Sequence, residues 1–358
     1  MNSLGLNKKP QDTKVAVAMS GGVDSTAAVI MLKNEGYNVF GLTMDLLQPP
    51  YAPEFSSIAD AAKAAAKLGI EHHYLDLKKE FAEHVVDYFS RSYLSGLTPS
   101  PCIMCNRFIK LGILANEARR RGADILVTGH YADIKLTENG AELHRAKDLT
   151  RDQSYFLFGI SKENLQMLRC PLAHLSKDET REIVRRSGIE LYKKADSQDI
   201  CFVSNGKYAE LIKKLHPEHQ LQPGDIVNSS GKVLGRHNGI INYTIGQRRG
   251  LGIGGGDILY VLRIDAIKNQ VIVGSHDELK QTQVSVTDVN WLGETLPEEA
   301  ELEVKLRSRQ NLVKAKVKFL PGQSAEVTLL NDFYGAAPGQ GCCFYQGTRV
   351  LGGGIIAP

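Results

Sequence analysis

The chain has 358 residues, 42% of them hydrophobic and 23% charged, with a formal net charge of +3. That length supports two or three domains and at least one large core, while no run approaches the roughly 18 to 20 apolar residues a membrane helix needs. So small a net charge does not argue for nucleic acid by itself. Basic residues nevertheless bunch at Arg119-Arg120-Arg121, Lys193-Lys194, Arg248-Arg249 and from Lys305 to Lys318, each taken alone an ordinary solvated face. The polar opening MNSLGLNKKPQDTK has no apolar h-region and does not read as a signal peptide, so a cytoplasmic protein without membrane contact is expected. Six unevenly spaced cysteines make no disulfide framework. In a reducing compartment, a clustered pair points to metal binding or catalysis.

In chain order, VAVAM (15–19), NVFGLTM (38–44), HHYLDL (72–77) and DILVTGH (124–130) read as buried strands, rich in branched residues and bounded by Gly or Asp. Between them DSTAAVIMLKNEG and SSIADAAKAAAKLG have helical spacing and end in glycine. Strands alternating with helices predict a doubly wound parallel α/β sheet. Helical pattern continues through SKDETREIVRRSGI, with Ser176 and Glu179 forming a capping box, to about residue 200. From Gln222 the sequence turns glycine-rich, predicting a small loop-rich module. Beyond about Asp265 period-two alternation predicts an antiparallel barrel or sandwich, and in LVKAKVKFL it sets Lys314, Lys316 and Lys318 on one basic side. The composition shifts predict domains at 1–204, 205–265 and 266–358.

MSGGVDST follows the first strand and opens the first helix, where an open α/β sheet binds its ligand. Gly21 and Gly22 let the backbone present N–H groups to an anion, Ser20 and Ser25 add hydroxyls, and the helix dipole adds positive charge. A carboxylate at Asp24 beside a phosphate makes sense mainly if it holds Mg²⁺. The loop lacks the lysine of a GxxxxGK[ST] motif and the spacing of GxGxxG. It resembles the SGGxDS pyrophosphate loop of ATP pyrophosphatases, which implies adenylation rather than γ-phosphoryl transfer.

Cys102 and Cys105 in TPSPCIMCNRFIK open a predicted helix, whose dipole lowers a thiol pKa. Cys201 in KKADSQDICFV lies at the end of the α/β region, where distant segments can meet at one rim. Four readings are open for the three cysteines. They are buried small hydrophobes, structural zinc, for which a fourth ligand is lacking, a persulfide relay between two thiols, or ligands of a [4Fe–4S] cluster with one open iron. Cys170, Cys342 and Cys343 read as structural.

MSGGVDS, TPSPCIMCN, VTGHYA, RDQSYFLF, DSQDICFV, NYTIGQRRGLGI and LGGGII occur in order across nearly the whole chain. Together they resemble the tRNA-specific 2-thiouridylases. The resemblance implies ATP-dependent sulfur insertion at C2 of the tRNA wobble uridine. It also implies a HUP-like ATP pyrophosphatase domain, a small central tRNA-binding domain and a C-terminal β-barrel. ATP and Mg²⁺ would be used, tRNA and a sulfur donor (a sulfurtransferase or desulfurase relay, or sulfide) would be the partners, and a monomer is expected.

Carried over by motif, Ala18, Met19, Ser20, Gly21, Gly22, Val23, Asp24 and Ser25 would bind ATP, with Met44 and Gly129 lining the adenosine site. Cys105 would be the nucleophile and Cys201 the persulfide carrier. Ser100, Pro101 and Cys102 would border the target base. Arg151, Asp152 and Gln153 would touch tRNA, Arg307 and Ser308 would reach RNA from the barrel, and His130 and Gln340 would lie near the reaction centre. Arg248, Arg249, Arg309 and the lysines of 313–319 would meet phosphates.

Where many family members have Asp in TPNPDxxCN, this chain has Cys102, and Ser100 replaces Asn. That resembles the CxxC subgroup and its cluster-using relatives, in which three cysteines hold a [4Fe–4S] cluster. The cluster would be held by Cys102, Cys105 and Cys201. Two other functions are compatible with the loop: an amidotransferase- or ligase-type ATP pyrophosphatase, and a non-catalytic, metal-bearing RNA-binding protein.

Overall fold

Branched residues at Val15, Val17, Val39, Leu42, Ile125 and Val127 build a parallel sheet of β1 Lys14–Ala18, β2 Asn38–Asp45, β3 Glu71–Asp76 and β4 Ile125–Val127. In this computed structural model the described residues are 1–51, 57–194, 200–203, 207–219, 221–254 and 258–358. They form two units: Met1–His84, Cys102–Phe202 and Thr348–Leu351 in one, and Val85–Pro101, Val203–Gly347 and Gly352–Pro358 in the other.

In the first unit, β5 Ala132–Thr137 and β6 Gly140–Arg145 form an antiparallel hairpin. With β7 Leu168–Arg169 the parallel sheet runs in the order β3-β2-β1-β4-β7. Val15, Ala16 and Val17 of β1 are fully buried, as expected for a central parallel strand covered on both faces. The helix Val23–Asn34 buries Val29 and Leu32 with Val15 and Val17, and Ala27 and Ile30 with Leu172 and Val184. Packing on two sides explains why AAVIML is apolar nearly all round. The capping box forms as read: Ser176 Oγ accepts from the Glu179 N–H at 3.2 Å, and Glu179 Oε2 accepts from the Ser176 N–H at 2.7 Å. The β5–β6 hairpin replaces the continuous helical pattern expected here. Its signal was the ENG turn that joins Thr137 to Gly140.

The predicted helix after Pro101 is interrupted. It runs as α-helix over Pro101–Met104, as π-helix over Cys105–Ile113 and as α-helix again over Leu114–Arg120. The Leu114 N–H donates to Ile109 O, five residues back. A Cβ on Gly112 would stand 2.8 Å from Arg107 O, so glycine is what admits the bulging carbonyl.

In the second unit, β8 Gly224–Asn228, β9 Val233–His237, β10 Tyr260–Asp265 and β11 Gln270–Gly274 form a sheet in the order β10-β11-β8-β9 over Ile226, Ile240, Tyr243, Val261 and Val271. The central module is therefore more ordered than a loop-rich reading suggests. A boundary at 265/266 would cut the hairpin that pairs Asp265 with Gln270. Likewise, 85–101 does not group with the rest of 1–204, because Tyr93 stacks on Tyr208 at 4.6 Å and the Thr98 N–H donates to Pro338 O at 2.8 Å.

Six further strands close a barrel: β12 Lys280–Trp291, β13 Glu299–Lys305, β14 Val313–Leu320, β15 Ser324–Tyr334, β16 Gly341–Gln346 and β17 Arg349–Ile356, ordered β12-β15-β14-β13-β16-β17 with β17 returning to β12. Cys342 and Cys343 are fully buried on β16, in line with the structural role expected of them. Lys314, Lys316 and Lys318 do share an exposed face. That face is not basic, because Glu303, Glu301 and Glu299 stand opposite them on β13 and Glu326 stands opposite Lys318 on β15. Cross-strand pairing of opposite charges neutralises the stripe expected to meet phosphates.

Candidate active site

The carboxyl ends of β1, β2 and β4 define the site. After β1 the chain passes to β2 and β3 on one side and returns to β4 on the other, which makes the β1/β4 gap the switch point where such sheets bind ligands. The loop from Ala18 to Ser25 occupies that gap. Gly21 adopts φ 69°, Gly22 is the N-cap of helix Val23–Asn34, and no side chain caps the first turn. The first N–H groups and the helix dipole are thus left for an anion. The Ser20 N–H donates to Ser25 Oγ at 3.2 Å, and Thr43 Oγ1 donates to Met19 O at 2.8 Å, fixing the loop to the second strand, near whose end Met44 sits. Gly129, just past β4, approaches the same turn so closely that a Cβ would lie 2.8 Å from Ser25 N.

Two lysines flank this loop, Lys177, unremarked in the sequence, and Lys194, noted there only as part of a basic pair. Lys177 Nζ lies 2.7 and 2.8 Å from the two oxygens of Asp24, which also accepts from Tyr131 Oη at 3.1 Å. Lys194 Nζ donates to Gly21 O at 3.0 Å and to Asp60 at 2.7 Å. Asp24 is therefore already paired with a cation. Among the described residues, no set of three acidic, His or Cys side chains gathers there. The protein side offers one carboxylate, which suits Mg²⁺ held mostly by phosphate oxygens.

Pro101 begins the helix that carries the CxxC pair. Cys102 is exposed and Cys105 buried, and Phe202, set edge-on against Phe81 at 5.6 Å, anchors the exposed Cys201. The three thiols act on one another: although Cys102 and Cys201 each present surface to solvent, the protein packed around the sulfur, then Cys105, push the Cys201 thiol up to about 12. Burial also raises Cys105 and Cys102, reversing the lowered pKa expected from the helix dipole. None of the three is in a disulfide. Their sulfurs do not all fall within 4.8 Å of one another, so a single ion is not held between them, whereas three thiolates on one rim are the donor set of a larger iron–sulfur group with an open position. The DSQD run at 196–199 lies outside the described residues.

His130 Nδ1 is 2.9 Å from Thr128 Oγ1, which also contacts Cys170 Sγ at 3.5 Å. Burial and then Lys110 push the imidazole down to about 3, so it is neutral at working pH. Of the RDQ run only Arg151 is exposed. The Asp152 side chain is fully buried, accepting from the N–H groups of Ala146 and Ser154, and Gln153 Oε1 accepts from the Tyr131 N–H at 2.9 Å. Both brace the fold around the half-buried run, beside the exposed Arg151.

In the second unit, Gln340 Nε2 donates to Thr98 O at 2.9 Å and Pro99 O at 3.3 Å. It thereby orders the segment leading to Ser100 and Pro101, both buried. Arg307 donates through Nη2 to Ile245 O at 3.0 Å and Gly335 O at 2.6 Å, and so ties the central module to the barrel. Arg307→Ala is expected to lower stability by about 1–3 kcal/mol, the cost of stranding buried acceptors. The salt dependence of tRNA binding should stay unaltered. Denaturation and filter binding check the pair, and an unchanged midpoint with a shallower salt slope would return Arg307 to RNA contact. Ser308 is half-buried beside it, while Arg248, Arg249 and Arg309 are exposed.

Residues 13–205 match the family described as tRNA methyl transferase HUP domain, 211–275 its PRC-barrel domain, and 281–356 the aminomethyltransferase beta-barrel domain. The chain is 47% identical to the tRNA-specific 2-thiouridylase MnmA of Rhodospirillum centenum over 99% of its own length and 94% of the relative's. To that of Paramagnetospirillum magneticum it is 46% identical over 100% and 99%. A more distant likeness, TM-score 0.37 and 20% identity over 61% of this chain and 70% of the other, is to the U34-tRNA thiolase NcsA of Methanococcus maripaludis with its [4Fe–4S] cluster. At that distance the cluster remains a property of that protein. With curated relatives of one name at nearly half identity end to end, and with three family domains in order, the chain belongs to the tRNA-specific 2-thiouridylase family.

Proposed function

We propose that this enzyme, a tRNA uridine sulfurtransferase, thiolates C2 of the wobble uridine through an adenylated base, with Cys105 and Cys201 handling the sulfur. The observation that supports it is continuity within one unit. The thiols of Cys102, Cys105 and Cys201 and the imidazole of His130 all feel Lys110, and Gly129, next to His130, touches the phosphate loop. Sulfur chemistry and nucleotide chemistry thus share one rim.

ATP would lie on the loop N–H groups, with Asp24 contributing to Mg²⁺ once Lys177 turns to phosphate. The uridine, unstacked from the anticodon, attacks the α-phosphate through O2, and pyrophosphate leaves. The Cys105 thiolate attacks Sγ of the Cys201 persulfide. The persulfide bond breaks, its electron pair departs on hydrosulfide, and a Cys105–Cys201 disulfide forms. Hydrosulfide adds at C2, AMP leaves with the C2–O pair, and the sulfur loses its proton as the thione forms. A dithiol reductant resets the enzyme, and an upstream sulfurtransferase or desulfurase supplies the persulfide. If Cys102, Cys105 and Cys201 instead hold a [4Fe–4S] cluster, it would supply an iron that carries sulfide. We propose Arg248, Arg249, Arg309 and Arg151 as the tRNA phosphate contacts, and a monomer as the working form.

Unmodified tRNA incubated anaerobically with ATP, Mg²⁺ and either sulfide or a persulfide donor, using protein with and without reconstituted iron, tests the reading by nucleoside mass analysis. 2-Thiouridine at the wobble position is expected in at least one arm, and which arm produces it separates relay from cluster. Pyrophosphate release without thionucleoside in any arm would sink the sulfur chemistry.

A further inference from the structure

The π-helical stretch redirects one charge. In an α-helix, residues five apart point about 140° away from each other. Where hydrogen bonds close five residues back, that spacing returns close to the same face. Lys110 follows Cys105 by five within the stretch Cys105–Ile113, so its ammonium stands on the cysteine side of the helix. The wide turn is built in, since Gly112 admits the Arg107 carbonyl where any Cβ would collide at 2.8 Å.

What surrounds that ammonium is unusual for a half-buried lysine. Among the described residues it has no carboxylate and no hydrogen-bond acceptor. The groups that feel its charge are Cys102 and Cys105 on its own helix, Cys201 from the end of the α/β region and His130 from the end of β4. Burial raises all three thiols and the Lys110 charge opposes that rise; burial lowers the imidazole and the same charge adds to it. A partly desolvated cation without a counter-ion is costly, and π turns of this kind cluster at functional sites.

We propose that Lys110 is a positioning residue for sulfur transfer, its fixed charge pairing with the anionic sulfur of Cys105 or of the Cys201 persulfide and holding it in line for attack. This rests on the thiolation reading above. The counter-ion that no described residue supplies is then the reacting sulfur itself. The charge acts where negative charge migrates during the transfer, which is where a fixed cation lowers a barrier.

The test separates the two half-reactions in a single turnover with unmodified tRNA, ATP, Mg²⁺ and a protein persulfide donor, following pyrophosphate and 2-thiouridine independently. For Lys110→Met, pyrophosphate release is expected within about twofold of the unaltered enzyme, while 2-thiouridine formation slows about 10- to 100-fold. Lys110→Arg should recover most of that rate. Thiolation at the unaltered rate in Lys110→Met would overturn the proposal. So would a parallel fall in pyrophosphate release, which would assign the charge to the nucleotide, or an arginine variant no better than methionine. Failure of the unaltered enzyme to make 2-thiouridine while releasing pyrophosphate would instead remove the reading on which the proposal rests.

Discussion

Gly129→Ala is expected to cut tRNA-dependent pyrophosphate release about 100-fold or more, the scale on which a displacement near 1 Å disables positioned chemistry. The methyl group would lie 2.8 Å from Ser25 N, 2.9 Å from the Asp24 carbonyl carbon and 3.0 Å from Asp24 Cβ. These are backbone and near-backbone atoms of the turn that presents N–H groups to phosphate, so no flexible side chain can swing aside. Either the first turn of helix Val23–Asn34 moves off the phosphates, or β4 is pushed away from β1 at Val17 and Val127. The second course adds an overpacking cost of about 1–3 kcal/mol. Calorimetry with a non-hydrolysable ATP analogue, read beside a denaturation curve, tells them apart. Lost binding at unchanged stability places the damage in the loop, and lost stability places it in the sheet. Near-normal nucleotide affinity with normal turnover would show that Gly129 is not part of the nucleotide site.

The loop was legible from the sequence because its function is local. Strand, two glycines and helix start lie within a dozen residues, and MSGGVDST carries both geometry and chemistry. The parallel sheet was legible for the same reason, since VAVAM and NVFGLTM are buried on both faces and so are continuously apolar. What escaped is non-local. Lys177 and Lys194 reach Asp24 and Gly21 from more than 150 residues away in sequence, and SKDET reads only as a capping box until the fold brings it back. Burial was not legible in the RDQ run: Asp152 looks like an exposed polar residue, but its buried side chain accepts from the N–H groups of Ala146 and Ser154, and half-buried Gln153 accepts from the Tyr131 N–H. In LVKAKVKFL the alternation was right, but the charge of the face depended on β13 and β15, whose glutamates no reading of one strand reveals. Helical periodicity at CNRFIKLGI could not disclose a π turn, because the widened hydrogen bonds depend on the Gly112–Arg107 approach.

Cys105→Ser and Cys201→Ser are each expected to abolish 2-thiouridine formation, by about 1000-fold or more, since a serine oxygen neither carries a sulfane sulfur nor displaces one. Pyrophosphate release should persist in both, because the loop and its lysines are untouched. A variant that loses both half-reactions would contradict the division of labour. Cys102→Ser is the informative third. Each of the three thiols is raised by burial, and Cys201 is raised further by Cys105 and Cys102; a second anion beside the first is costly, as for any like-charged pair. One sulfur ionised at a time, against one ammonium at Lys110, is the electrostatics of a two-cysteine relay. In that case Cys102→Ser should cost no more than about tenfold, since the exposed Cys102 neither attacks nor carries sulfur. Three thiolates together are sustainable only with more positive charge than the protein supplies, as an iron–sulfur group would bring. A Cys102→Ser loss as deep as that of Cys105→Ser, accompanied by loss of iron-dependent visible absorption, would therefore assign all three cysteines to ligation and retire the disulfide-forming step.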